Sequence, residues 1–68
     1  MKILLRKTLS DGRKVLVYND GTEQYNIVAV ISNGTYPSKI LRMKEEEERW
    51  KDELPKELGV SKEELGLN

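Results

Sequence analysis

PSKILRMKEEEERWKDEL, residues 37–54, decides the fold, because its reading sets the length of the main helix and what covers the sheet. Pro37 cannot continue a strand ladder, and Ser38 is a residue type that caps the free amides of a first helical turn. The segment therefore predicts one long charged helix running to Leu54, where Pro55 interrupts it. At about 100° per residue, Ile40, Met43, Glu47, Trp50 and Leu54 share one stripe, so the buried face is narrow and contains a carboxylate. Pairs four apart, Lys44 with Glu48, Glu45 with Arg49 and Glu47 with Lys51, support the solvated faces. Glu45, Glu48 and Asp52 align as an acidic helix face, either simply solvated or turned to a basic partner. One straight helix face cannot converge the six or so oxygens that a hard cation needs, so no metal is expected there. Glu47 either reaches water along its methylenes or pairs with Lys7 or Lys14 on the sheet face opposite.

Upstream, glycine turns at Asp11-Gly12, Asp20-Gly21 and Asn33-Gly34 separate runs rich in aliphatic, β-branched and aromatic residues. Lys2 to Ser10, Arg13 to Asn19 and Gln24 to Ser32 read as strands of an antiparallel meander, with a short fourth strand at Thr35-Tyr36. Ile27 to Ile31 is apolar on both faces and is expected to be the best buried. If both hairpins use two- or four-residue loops, one sheet face collects Ile3, Leu5, Leu9, Leu16, Tyr18, Tyr25, Ile27, Ala29 and Ile31, interrupted by Lys7 and Lys14. The other collects Leu4, Val15, Val17, Val28 and Val30 with Lys2, Arg6, Thr8, Arg13, Gln24 and Asn26. The long helix is placed on the first, larger face. A three-residue loop in either hairpin flips a strand and changes the assignment.

Downstream, Pro55 to Leu58 forms one more turn ended by Gly59, and Ser61 with Glu64 makes a capping box for a last short helix ending near Leu67. The run Leu54-Pro55-Lys56-Glu57-Leu58-Gly59-Val60-Ser61-Lys62-Glu63-Glu64-Leu65 resembles the turn of a helix-turn-helix motif, in which a short helix ends in Gly-Val-Ser before the recognition helix. The resemblance implies a second helix that contacts DNA. Here that helix is roughly two turns long and lies amid negative charge.

The predicted fold class is thus α+β: a three- to four-stranded antiparallel β-meander, one long charged α-helix and a short C-terminal helical turn. Residues 1–68 form a single domain, divided into a basic β-meander (1–36), a long acidic helix (37–54) and a short helical tail (55–68). A chain of 68 residues buries only about 60% of the surface that its unfolded form exposes, so packing or self-association has to supplement the core. There is no Cys and no His, which removes disulfides, thiolate or imidazole metal sites, and triads built on either residue. Ser10, Ser32, Ser38 and Ser61 all sit beside turns or helix starts, where capping accounts for them. No glycine-rich phosphate loop is present. The expectation is a non-catalytic protein with no cofactor and no metal; without a signal peptide or membrane span it is placed in the cytoplasm.

Charge is neutral in total and divided along the chain. Residues 1–44 carry eight Lys and Arg against three acids; residues 45–68 carry nine acids against four bases. The Val-rich face of Leu4, Val15, Val17, Val28 and Val30, rimmed by Lys2, Arg6 and Arg13 with Lys14 as a further candidate base, is the candidate functional surface, with three fates. The C-terminal segment folds over it with Leu58, Val60, Leu65 and Leu67; or a second copy pairs there; or nucleic acid meets its basic rim. The first reading is a protein-interaction or regulatory module that self-associates as a homodimer through this face. The second is a nucleic-acid-binding domain using the basic face of the sheet, against which stands the absence of aromatics on that face; Tyr18 and Tyr25 fall on the other.

Overall fold

Strand structure, which the sequence implies up to Ser32, resumes at residues 39–44 and replaces the first part of the expected helix. The computed structural model describes residues 2–19, 21, 24–32, 34 and 37–67. Strands β1 (Lys2–Thr8), β2 (Lys14–Asn19), β3 (Tyr25–Ile31) and β4 (Lys39–Lys44) form one antiparallel sheet in the order β1-β2-β3-β4. Two short helices follow, α1 (Trp50–Leu58) and α2 (Lys62–Leu65). The α+β meander is as expected; the single long helix is not. The strand expected at Thr35-Tyr36 lies outside the described residues.

Residues 39–44 are a strand for a physical reason that helical periodicity conceals. Leu41 and Met43 pair with Val28 and Asn26 on one face, while Ile40 and Arg42 pair with Ala29 and Ile27 on the other. β3 is apolar on both faces and would be an open edge without this partner. Ser38 caps no helix: its amide and hydroxyl both donate to the Val30 carbonyl, at 2.8 and 3.0 Å, closing the β3–β4 connection. Glu47 and Glu48 then take left-handed backbone angles, φ 52° and 57°, which no helix could run through.

α1 contains Pro55 instead of ending before it. The ring forgoes one intrahelical hydrogen bond, and its carbonyl accepts from Val60 N at 3.0 Å. Gly59, at φ 69°, terminates the helix as the sequence implied. Ser61 accepts from Glu64 N at 3.1 Å, but the Glu64 carboxylate reaches Ser10 and not back to Ser61, so the capping box is half made.

The first hairpin explains which face is covered. Leu9 N donates to Arg13 O at 2.7 Å and Gly12 N to Leu9 O at 3.0 Å, leaving Ser10, Asp11 and Gly12 as a three-residue loop with Gly12 at φ 95°. This is the loop length that flips a strand. Leu5 and Lys7 therefore lie opposite Val17 and Val15, while Arg6 and Thr8 lie opposite Leu16 and Lys14. A bulge at Leu4 reverses the phase again, so that Ile3 returns to the face of Tyr18.

Both helices pack on the Val-rich face, which for α1 is the reverse of the expected placement and for the C-terminal segment is one of the fates considered. Val15, Val17, Val28, Val30, Leu9 and Met43 form one buried cluster with Trp50, Leu54, Leu58 and Leu65; Leu4, Leu5, Leu41, Val60 and Leu67 pack around it. With β4 built from residues 39–44, the apolar helical residues start at Trp50, and the chain returns across the one face whose apolar character is continuous from β1 to β4. Among the described residues, the opposite face of the sheet carries no helix. The molecule measures 30 × 26 × 16 Å, the short dimension being one sheet and one helical layer.

Candidate functional site

Alternation along paired strands assembles the open face row by row. Ile3, Tyr18, Ile27 and Arg42 form one row across all four strands. Arg6, Leu16, Ala29 and Ile40 form the next, and Thr8, Lys14 and Ile31 the third. Tyr25 lies beside Lys44 at the near end. The centre is thus aliphatic and aromatic, with Ile3 46% and Ile40 62% exposed at the two edges. Arg6 and Lys14 occupy one corner, and Arg42 and Lys44 the diagonally opposite one.

No acid stands among the described strand residues of this face. Glu45 and Glu46, which follow β4, border a shallow hollow at its margin with Gln24, Tyr25 and Lys44. The Arg42 guanidinium lies over the Tyr25 ring, 5.0 Å from its centre, a cation–π contact that ties the two side chains together. At the other corner a depression of about 330 Å³ is lined by Arg6, Lys14, Leu16 and Ile31, among others, with mostly apolar walls.

The residues expected to form the site are distributed differently. Val15, Val17, Val28 and Val30 are buried beneath α1 and α2, and Leu4 packs against that core, so within the folded chain they offer no surface to a second copy. Of the three fates considered for the Val-rich face, the structure has the first: Leu58, Val60, Leu65 and Leu67 cover it, with Trp50 and Leu54. Arg6 and Lys14 do lie on an exposed basic face, but on the side opposite the valines. Lys2 lies on the helical side, at a hollow of about 430 Å³ shared with Leu4, Glu45, Glu48 and Trp50. Arg13 is structural: Nε meets Asp11 at 2.7 Å and Nη2 donates to the Leu58 carbonyl at 3.1 Å, at the end of α1 where a cation suits the helix dipole.

The acidic column does not form, because its members belong to different elements. Glu45, at the end of β4, accepts from Nδ2 of the fully buried Asn26, whose Oδ1 accepts from Asn19 Nδ2 at 3.1 Å. Glu48 pairs with Lys51 at 2.9 Å, and Asp52 pairs with Lys62. That ammonium holds the Asp52 carboxyl below the usual range by hydrogen bonding and by charge. Glu47 is exposed in the turn before α1, and among the described residues no ion pair joins it to Lys7 or Lys14. Among the described residues no group of three or more carboxylates is placed to hold a metal ion, and no helix is long and apolar enough to cross a membrane.

Tyr18, Tyr25, Arg42 and Lys44 complete the open face and were not expected there. Arg42 and Lys44 were assigned to a helix; the tyrosines were assigned to the face that a helix would cover. The available signal was the three-residue spacing of Ser10-Asp11-Gly12 between Leu9 and Arg13 together with the two-residue alternation of residues 39–44.

No protein-family model matches this chain, and neither a curated protein nor a solved structure matches it.

Proposed function

We propose that this protein is a non-catalytic nucleic-acid-binding module whose working surface is the open face of the sheet. One observation carries the reading: four cations, Arg6, Lys14, Arg42 and Lys44, and two tyrosines share a face on which no described strand residue is acidic. A surface of that composition attracts phosphate and offers rings to bases. Neutral total charge is no obstacle, because Asp52, Glu53, Glu57, Glu63 and Glu64 belong to the helices that cover the other side, leaving Glu45 and Glu46 at the margin of this one. Self-association through the same face would bring two sets of like charges together, which disfavours a homodimer there.

Fluorescence anisotropy with a labelled mixed-sequence oligonucleotide tests this across a series of salt concentrations. Binding is expected to weaken as salt rises, with a log–log slope no steeper than about −3 to −4 for four phosphate contacts. Arg6→Glu or Arg42→Glu should weaken it, whereas Lys56→Glu on α1 should leave it unchanged. Absence of binding at low ionic strength, or binding indifferent to salt, overturns the proposal.

A further inference from the structure

We infer that the open face takes single-stranded nucleic acid, with bases over the two tyrosines and phosphates at the diagonal corners; this rests on the nucleic-acid reading above. A duplex groove is read by an element that projects into it, a helix or a two-stranded ribbon. Here both helices lie on the other side of the sheet, among carboxylates. What the molecule presents instead is a four-stranded surface with an apolar centre. Phosphates gain nothing from Leu16, Ile27 and Ile40, but unpaired bases do.

The tyrosines are placed to act together. Tyr18 is opposite Ile27, and Tyr25 lies two residues before it on the same face, so the rings are diagonal neighbours across β2 and β3. Arg42 extends the platform, since a guanidinium already stacked on Tyr25 presents a second flat cationic surface. From the Arg42 corner to Arg6 is three strand spacings, on the order of 14 Å, plus one row along the strands of about 7 Å. A single strand crossing that diagonal sets its phosphates against Arg42 and Lys44 at one end and Arg6 and Lys14 at the other. A stiff duplex on the same face would reach the cations but leave the tyrosines and the apolar centre uncovered.

The test compares labelled oligothymidylate and oligouridylate of about ten nucleotides, within the span a small β-domain covers, with an oligo(dA)·oligo(dT) duplex of equal length. Single strands are expected to bind at least about ten-fold tighter than duplex, and the relative affinity of the two probes distinguishes DNA from RNA as the preferred source. Tyr18→Ala and Tyr25→Ala should each lower single-strand affinity about 5- to 150-fold, the worth of one stacked base, without changing the salt slope. Arg42→Ala should reduce that slope. Circular dichroism melts of each variant confirm the fold, and Tyr18→Phe, which keeps the ring, should retain binding. Equal affinity for duplex, or wild-type affinity in both alanine variants, overturns the inference and leaves nucleic-acid binding standing. No binding to any probe at low salt overturns both.

Discussion

Single residues tie the helical layer to the sheet at the Ser10-Asp11-Gly12 loop. Glu64 accepts from the Ser10 amide at 2.8 Å and its hydroxyl at 2.7 Å, and these bonds hold its carboxyl below the ordinary range. Asp11 is lowered likewise, first by the Arg13 amide and then by the Arg13 side chain. A carboxylate whose native pKa is depressed contributes stability that is fully present above its unfolded pKa and lost as pH falls through the native one. Urea midpoints should therefore fall between pH 7 and pH 3, and Glu64→Gln should make that fall shallower while lowering the midpoint at pH 7. Val17 is the other revealing residue, being buried without exposed area. Val17→Lys places an unpaired charge in the core, a cost of several kcal/mol against a total of about 3–10 kcal/mol for a chain this size. The variant should be unfolded by circular dichroism; a folded chain with altered mass would instead restore the valines as an interface.

At the level of elements, α2 is held by its cap, by the buried Leu65 and by the contacts of Glu64 with Ser10 and of Lys62 with Asp52. A helix of four residues has almost no propensity of its own, and Leu65, fully buried, fixes it to the sheet. Ser61→Ala removes the bond to Glu64 N and should cost about 1 kcal/mol, a drop in Tm of roughly 4–8 °C in a thermal melt. The residue types at 59–67 made this element legible in the sequence: Gly59 and Gly66 end turns with φ of 69° and 73°, and Ser61 starts one. β4 was not legible for the opposite reason. Ile40, Met43, Glu47, Trp50 and Leu54 fit a helical stripe, and Leu41 and Met43 fit a strand, so a segment of six residues satisfies both periods. Pairing with β3 decides between them, and local propensity does not record that pairing.

For the whole molecule, the division of charge along the chain becomes only in part a division between faces: Arg6, Lys14, Arg42 and Lys44 stand on the open face, while Lys2, Lys7 and Lys39 stand on the helical side. The arginines separate the two roles that the sequence joined. Arg13→Ala should lower the melting temperature and spare oligonucleotide affinity, because its guanidinium serves Asp11 and the α1 terminus. Arg6→Ala should do the reverse, as Arg6 is exposed on the open face. Parallel melts and anisotropy titrations check both. Sedimentation at low salt should return the single-chain mass of 7.9 kDa, since copies meeting through the open face oppose like charges.

By itself the sequence determined the α+β class, the three strands before residue 32, the Gly59 and Ser61 boundaries and the absence of thiol and imidazole chemistry. These follow from residue type and short-range spacing, which act within a turn or a strand. Only the tertiary structure decided which sheet face is buried. That choice depends on a three-residue loop, a bulge at Leu4 and the capture of residues 39–44 by β3. Each shifts the two-residue period of a strand by one position, and a shift of one exchanges inside for outside. The valines went in, and the tyrosines with four cations were left out.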